Sequence, residues 1–329
     1  MNASSLHESV LDQSPIDDAL ARYPVGRLLR YWPASHGIEN TNYFVRTTDG
    51  EFVLTLMERQ PFAGDAYFTI LDTLAHAGLP VAAPIADRLG NVSTQIQGRA
   101  AILQHRLPGS HVALPTEIQL QALGRLIARL HIESAGISSR IPAHPRDLAW
   151  MKMACESLTS RMRYSSARLM EESLLTVSTL LAREDVALLP AGVVHGDIFR
   201  DNVLFQEDAL CGIIDFHQAA HGTWLFDLAV AANDWCCDVT GQLNRGKTLA
   251  LLKGYHTQRP LNRQEIWFFS PFRLYAALTF WLARQEVYLQ VQQGLPVRSK
   301  NPRDMEAIIL MLRRGFDYFD ERLFETSRI

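Results

Sequence analysis

Residues 195–216 hold the side chains with the clearest chemical potential. Asp197 lies five residues before Asn202, and Asp215 ends the apolar run that follows. Phosphoryl transfer needs one carboxylate aimed at the attacking hydroxyl and hard oxygen ligands for Mg²⁺. The spacing therefore predicts a phosphotransferase site in which Asp197 is the catalytic carboxylate, while Asn202 and Asp215 hold Mg²⁺ or Mn²⁺. The alternative is a polar loop of ordinary turn residues.

Other polar residues in or near this segment suggest supporting roles. His195 looks like an acid–base catalyst, but we expect it to hold the loop together through backbone hydrogen bonds. Asp227 begins a helical stretch and is expected to cap or anchor the loop rather than react. Arg200 has two interpretations: it neutralises charge on the transferred phosphate or on the substrate, or it forms a surface ion pair with Asp201.

A small α+β lobe is predicted for the first 104 residues. Asp49-Gly50 separates two strand-like segments and is a strong hairpin signal. The helical segment that follows is ended by Gly78 and Pro80. A second hairpin turns near Gly98. The predicted strands are 42–47, 51–57, 92–97 and 100–104, and the predicted helix is 65–77.

A mainly helical lobe is predicted beyond Leu107-Pro108-Gly109, which breaks the strand pattern. Leu120, Leu123, Ile127 and Leu130 recur at helical spacing and give one apolar face. A cleft between two lobes is the usual place for a ligand. The predicted parts are an N-terminal nucleotide-binding lobe (1–104), a hinge (105–109) and a C-terminal catalytic and substrate-binding lobe (110–329), with helices near 148–163, 166–183, 223–236, 246–256, 263–290 and 303–324.

Composition excludes several classes of protein. The net charge is −3 and there is no basic block, so we expect no nucleic-acid partner. The first 20 residues contain no secretory signal, and no stretch has about 18 apolar residues in a row, so we expect no membrane span. None of the four cysteines forms a Cys-x-x-Cys pair, which predicts reduced thiols in a cytoplasmic protein and no zinc site.

The motif His-x-Asp-x-x-x-x-Asn, followed by Ile-Asp-Phe, resembles the aminoglycoside phosphotransferase–choline kinase superfamily. Within it, the chain is most similar to the bacterial homoserine kinases. The resemblance implies a bilobal protein-kinase-like fold, ATP as the phosphate donor, and a small hydroxyl acceptor, with L-homoserine in threonine biosynthesis favoured. An amino alcohol, a sugar or an aminoglycoside is the alternative acceptor. The matching motifs are Gly37–Val45, Glu51–Leu56, His195–Phe205, Asn233–Cys236 and Lys300–Asp304.

The resemblance also implies where the nucleotide binds. The polar turn ending in Asn40, Thr41 and Asn42 would cover the phosphates with amide N–H groups and side chains. The adenine would lie against the backbone of Gln104 to Arg106. The alternative for the turn that ends in Asn40, Thr41 and Asn42 is a polar turn that binds no ligand.

The second strand departs from the wider kinase pattern. Its usual lysine, which pairs with the α- and β-phosphates, is replaced by Thr55, on the same face as Val53. The related homoserine kinases also have threonine there. The departure leaves open a nucleotide-binding pseudokinase.

An amino-acid pocket above Asp197 is the last expectation. Homoserine is a zwitterion, so its carboxylate requires Arg, Asn or Trp donors and its ammonium requires a carboxylate. For each helical candidate, core packing or a solvated face is the alternative. In the family, an arginine often precedes Phe-Trp in the later helix, and here that position is Thr279. If that arginine binds the substrate carboxylate, this chain would prefer a different hydroxyl substrate. The candidates are Arg200, Asn233, Asp234, Trp235, Arg273, Trp281 and Arg284.

Overall fold

The chain divides into two compact units. The first comprises residues 1–108 and 290–299, and the second comprises residues 109–289 and 300–329. The predicted lobe boundaries and the action of residues 105–109 as a hinge stay predictions. The computed structural model describes residues 12–34, 40–58, 64–293, 300–315 and 319.

A five-stranded antiparallel sheet forms the first unit, in the order β1-β2-β3-β5-β4. Alternation along β3 buries Phe52, Leu54 and Leu56 in the core, so Val53 and Thr55 lie on the other face, as predicted. Both predicted hairpins and the helix between them are present. The elements are α1 (Gln13–Leu20), β1 (Leu28–Pro33), β2 (Thr41–Thr47), β3 (Glu51–Leu56), α2 (Gly64–His76), β4 (Thr94–Ile96) and β5 (Arg99–His105).

The elements α1 and β1 were not predicted from the sequence. Among the described residues, strand β1 lies at the edge of the sheet beside β2, and its mixed burial gives no apolar alternation to recognise. Helix α1 is too short to show a clear helical periodicity in the sequence. It is stabilised by packing, because Ile16 and Leu20 are buried in the same core cluster as the sheet residues.

Helices and two small antiparallel sheets, β6-β9 and β7-β8, form the second unit. Strand β9 was not predicted, because its four residues carry no strand-like apolar run. The strands are β6 (Ala191–Val194), β7 (Val203–Gln206), β8 (Ala209–Ile213) and β9 (Ala220–Thr223). The helices are α3 (Glu117–Glu133), α4 (Leu148–Thr159), α5 (Tyr164–Leu181), α6 (Glu184–Ala187), α7 (Leu225–Trp235), α8 (Arg245–Gln258), α9 (Arg263–Gln292) and α10 (Pro302–Arg314).

Helix α9 is long and apolar enough to cross a membrane by length and composition alone. However, 78% of its most apolar stretch is buried inside the structure, which is typical of the core helix of a globular protein. It also buries Arg273 and Arg284. We therefore treat α9 as a core helix.

Helices α3 and α8 cross at two glycines. The predicted apolar face of α3 is buried. A Cβ atom added to Gly124 would lie 2.1 Å from the Leu251 carbonyl oxygen, and one added to Gly254 would lie 2.2 Å from the Gln121 carbonyl oxygen. The absence of these side chains lets the two backbones touch.

We expect Gly124→Ala to lower the free energy of unfolding by about 2–3 kcal/mol, because the helices must separate to admit the methyl group. Gly136→Ala is the matched control, since a Cβ atom there meets nothing within 4 Å. Urea denaturation of both variants measures the difference. Equal losses in the two variants would contradict close packing at this crossing.

Candidate active site

The loop from His195 to Asn202 begins where β6 ends and finishes where β7 starts. Its first turn is held by Asp227, a completely buried residue in the first turn of α7. The two Asp227 carboxylate oxygens accept the backbone N–H groups of His195 and Gly196, each at 2.8 Å. Burial alone would raise the pKa of Asp227, but the hydrogen bond from His131 and other nearby groups bring this pKa below its ordinary value.

His131 completes the surroundings of the Asp227 carboxylate. Its Nε2 lies 3.1 Å from Asp227 Oδ2, and its Nδ1 lies 2.9 Å from the Tyr255 hydroxyl. The ring also stacks on Trp224 with a centroid distance of 5.3 Å. Burial lowers the pKa of His131, so we assign a neutral imidazole that donates from Nε2 and accepts the Tyr255 O–H at Nδ1.

His195 joins the loop to the end of β8. Its Nε2 lies 3.0 Å from the Ile214 carbonyl oxygen, and its Nδ1 accepts the Asp197 N–H at 3.2 Å. Its ring also packs against Phe216. Burial lowers the pKa of His195. These contacts connect the segment that carries Asp197 to the segment that leads into Asp215.

Asn202 is bonded directly to Asp197. Its side-chain N–H group donates to the Asp197 carbonyl at 2.8 Å and to Asp197 Oδ2 at 2.9 Å. The amide nitrogen is thereby committed to Asp197, and the opposite side of the amide presents Oδ1 as a possible metal ligand. Asp215 adopts a left-handed backbone conformation with φ of 66°, which is rare outside glycine and common at functional sites.

The charge on Asp197 is unfavourable in the protein alone. Desolvation and the negative charge of Asp215 raise the pKa of Asp197 to about 7, although the positive charge of Lys300 opposes the rise. Carboxylates close enough to repel each other are a suitable place for a cation. Within the described ranges, no three His, Cys, Asp or Glu residues form a metal cluster. Carboxylate and amide oxygens such as those of Asp215 and Asn202 are of the type that Mg²⁺ binds, with water and phosphate as its other ligands.

The second half of the loop is held by the last turn of α7. Asp234 Oδ2 accepts the Arg200 N–H at 2.7 Å and also pairs with the Arg200 guanidinium at 3.1 Å. The Trp235 indole donates to the Ile198 carbonyl at 3.1 Å. The predicted alternative of an Arg200–Asp201 ion pair is wrong, because the helix brings Asp234 to Arg200.

The remaining substrate candidates fall into two groups. Asn233 and Arg273 are hydrogen-bonded to each other in the core. The Asn233 side-chain N–H donates to the Arg273 carbonyl at 2.8 Å, and Arg273 Nε donates to Asn233 Oδ1 at 3.0 Å. Trp281 is also buried. Arg284 instead reaches the loop, where its guanidinium carbon lies 5.3 Å from the centroid of the Phe199 ring.

Two basic residues near the loop were missed from the sequence. Lys300 pairs with Asp201 at 2.7 Å. Arg146 lies 5.9 Å from the centroid of Phe280, whose ring packs edge-on against Phe199. Lys300 opens the family motif Lys300–Asp304, so that motif was the available signal. The short segment around Arg146 has no pattern that marks it.

The polar turn of the first unit is tied together by side chains. Thr55 Oγ1 donates to Asn42 Oδ1 at 2.6 Å across the strand pair β2-β3. Asn40 accepts the Glu58 N–H, and the Thr41 hydroxyl donates to the Glu58 carboxylate. Residues 37–39 of the predicted phosphate turn lie outside the described residues.

The backbone predicted to contact adenine is partly engaged in the sheet. Val53 is paired with Gln104 between β3 and β5. The Arg106 N–H donates to the Glu51 carbonyl at 3.1 Å, and its guanidinium pairs with the Glu51 carboxylate at 2.9 Å. The Arg106 amide is therefore engaged with β3, and the contact of adenine with the backbone from Gln104 to Arg106 stays a prediction.

Comparisons with known proteins identify the family of the chain. Residues 31–261 match the model of the phosphotransferase enzyme family. Homoserine kinase from Pseudomonas aeruginosa (strain LESB58) is 37% identical over 299 residues, which cover 90% of this chain and 93% of that relative. The chain belongs to the homoserine kinase branch of the phosphotransferase enzyme family. The predicted family is confirmed, and membership makes the protein an ATP-dependent small-molecule kinase that uses a divalent metal ion.

Solved structures of other kinases share the fold of this homoserine kinase family member. Spectinomycin phosphotransferase with ADP and spectinomycin superposes with a TM-score of 0.67 at 13% identity, covering 96% of this chain and 97% of that chain. Amicoumacin kinase in complex with AMP-PNP, Ca²⁺ and Ami superposes with a TM-score of 0.65 at 16% identity, covering 92% of each chain. The predicted α+β protein-kinase-like fold is confirmed.

We expect Asp227→Asn to lower the free energy of unfolding by about 3 kcal/mol, because an amide cannot accept both loop N–H groups and the His131 N–H. The folded-state pKa of Asp227 lies below its unfolded value, so its stabilisation is complete above about pH 4 and lost in more acidic solution. The difference from wild type should therefore shrink as the pH falls, as followed by chemical denaturation.

Asp238→Asn is the matched control for Asp227→Asn. Asp238 also accepts two backbone N–H groups, from Thr240 and Gln242, but it is exposed. Water can replace those hydrogen bonds, so Asp238→Asn should lower the free energy of unfolding only slightly. A comparable loss in both variants would contradict the role of burial at Asp227.

Proposed function

We propose that the protein is an ATP:L-homoserine phosphotransferase that feeds threonine biosynthesis. The observation that carries the proposal is the 37% identity to a homoserine kinase along 90% of the chain. The Asp197–Asn202–Asp215 arrangement supports the chemistry. The thiols of the four cysteines are free, which agrees with the proposed cytoplasmic location.

Asp197 is proposed to orient the acceptor hydroxyl and to take its proton. Since Asn202 donates to Asp197 Oδ2, the Oδ1 atom is the favoured proton acceptor. The hydroxyl oxygen bonds to the γ-phosphorus, the bond between that phosphorus and the β–γ bridging oxygen breaks, and ADP leaves. A divalent ion, Mg²⁺ with Mn²⁺ as the alternative, would neutralise phosphate charge from Asn202 and Asp215.

The nucleotide contacts are proposed on the family pattern. The hydroxyl of Thr55 is committed to Asn42. We propose that the metal ion and the polar turn replace the strand lysine in neutralising the phosphates, and that residues 105–109 act as a hinge. The proposed nucleotide contacts are Asn40, Thr41, Asn42, Val53, Thr55, Gln104 and Arg106.

Basic side chains beside the loop support an acceptor that carries a carboxylate. Phe199 and Phe280 pack together at 4.7 Å between ring centroids. Lys300 and Arg284 lie over Phe199 at 4.4 and 5.3 Å, and Arg146 lies over Phe280 at 5.9 Å. Two of these charges already face carboxylates, Lys300 at Asp201 and Arg284 at Asp304. The proposal of an anionic hydroxyl compound such as homoserine therefore uses the third, Arg146. We propose that Arg146 binds the carboxylate of the acceptor. It would take the role of the family arginine whose position is Thr279 here.

We expect L-homoserine to give the highest kcat/KM in a panel containing homoserinol, ethanolamine, a sugar and an aminoglycoside. ADP release from Mg-ATP measures each reaction. Homoserinol lacks the carboxylate, so its kcat/KM should be lower by about tenfold or more, and Arg146→Met should reduce that preference. No ADP above the acceptor-free control with homoserine would refute the proposed substrate.

We expect Asp197→Asn to lower kcat by about 10³-fold while ATP affinity stays within about threefold, because the carboxylate acts on the proton in the transition state. The pKa of Asp197 is raised on folding, so its ionised form destabilises the folded protein above the unfolded pKa. Without metal at about pH 8, the melting temperature of the variant should be equal to or above that of wild type.

Asp208→Asn is the control for Asp197→Asn, since Asp208 is exposed in the turn between β7 and β8. Its turnover should match that of wild type. If Asp197→Asn turned over at a rate close to that of Asp208→Asn, the proposed catalytic role of Asp197 would be wrong.

A further inference from the structure

We propose that Lys300 is a positioning residue for phosphoryl transfer, holding the catalytic loop from the segment that precedes α10. The inference depends on the phosphotransferase activity of the Asp197 loop and is independent of which acceptor is used. Its basis is a set of contacts between residues that lie about a hundred positions apart in the chain.

The first contact is a two-pronged ion pair. Lys300 Nζ lies 2.9 Å from Asp201 Oδ1 and 2.7 Å from Asp201 Oδ2. Asp201 directly precedes Asn202, whose side chain is bonded to Asp197. Holding Asp201 therefore restricts the backbone that aims Asn202.

The second contact is with the aromatic residue in the middle of the loop. Lys300 Nζ lies 4.4 Å from the centroid of Phe199, within the range of a cation–π interaction. The Phe199 N–H donates to the Asp197 carbonyl at 2.8 Å, and the Asn202 N–H donates to the Phe199 carbonyl at 2.9 Å. Lys300 thus contacts positions 199 and 201, which both lie between Asp197, proposed to react, and Asn202, proposed to bind metal.

The lysine is itself held in place by its neighbours. Asn301 caps α10 by accepting the Arg303 N–H, and Pro302 occupies the first turn. Arg284 reaches the Asn301 carbonyl at 3.3 Å. The segment is therefore anchored to both α10 and α9 immediately after Lys300, which limits the positions that its ammonium can occupy.

The Lys300–Asp201 ion pair should affect turnover much more than it affects folding stability. The side chains of Lys300 and Asp201 are 30% and 44% exposed, and such an ion pair contributes about 1 kcal/mol or less to folding. A displacement of reacting groups by about 1 Å can reduce turnover by about 100-fold. Loss of Lys300 should consequently appear in kcat and leave the melting temperature nearly unchanged.

The test compares Lys300→Met with Lys300→Arg and with Lys253→Met, in the exposed surface of α8. We expect Lys300→Met to lower kcat by about 30- to 100-fold while KM for ATP changes by less than about threefold. Lys300→Arg should keep kcat within about fivefold of wild type, because it retains the charge. Lys253→Met should match wild type, and circular dichroism should give similar melting temperatures for all three variants.

A double-variant cycle tests whether Lys300 acts through Asp201. Asp201→Asn should lower kcat by a similar factor, and adding Lys300→Met should reduce it by no more than a further threefold or so, since both changes break one interaction. Losses that multiply would overturn the proposal, because Lys300 would then act independently of Asp201. A kcat for Lys300→Met within about threefold of wild type would also overturn it.

The readout does not require homoserine to be the acceptor. All variants are compared with whichever hydroxyl compound wild type phosphorylates best, or with ADP release in the absence of acceptor. Inactivity of wild type towards homoserine would refute the proposed substrate and leave the Lys300 comparison intact. Equal rates of wild type and Lys300→Met in that same assay would refute the role of Lys300 alone.

Discussion

The buried carboxylate of Asp227 is the interaction on which the rest of the catalytic loop depends. An ionised carboxylate inside a protein is unfavourable unless hydrogen bonds satisfy it. His131 and the amides of His195 and Gly196 supply those bonds. Gly196 has a φ of 79°, and a Cβ atom there would lie 2.6 Å from the Gln218 carbonyl oxygen. The requirement to satisfy Asp227 therefore dictates the turn that directs the chain into Asp197.

Helix α7 extends this control along the loop. Asp227 in its first turn holds the beginning of the loop, and Asp234 and Trp235 in its last turn hold Arg200 and Ile198. One helix thus fixes four positions of the loop, 195, 196, 198 and 200. Phosphoryl transfer is catalysed mainly by positioning and electrostatics, so a loop that is held at many points suits the reaction.

The reacting residues themselves are not arranged for stability. Burial of Asp197 and the negative charge of Asp215 raise the pKa of Asp197, and Asp215 has a left-handed backbone conformation. Both features are unfavourable in the protein alone, and a cation would relieve the repulsion. The scaffold around Asp227 supplies the rigidity that keeps these groups together.

Local spacing in the sequence determined Asp197, Asn202 and Asp215 as the catalytic candidates, and it also determined the hairpin at Asp49-Gly50, because these features depend on residues close in the chain. The edge strand β1, the pairing of Arg200 with Asp234 and the approach of Lys300 to Asp201 were decided only by tertiary structure. Each requires segments far apart in the chain to pack together. The type and spacing of residues specify a chemistry, whereas the partner of each charged side chain depends on which helix the fold brings beside it.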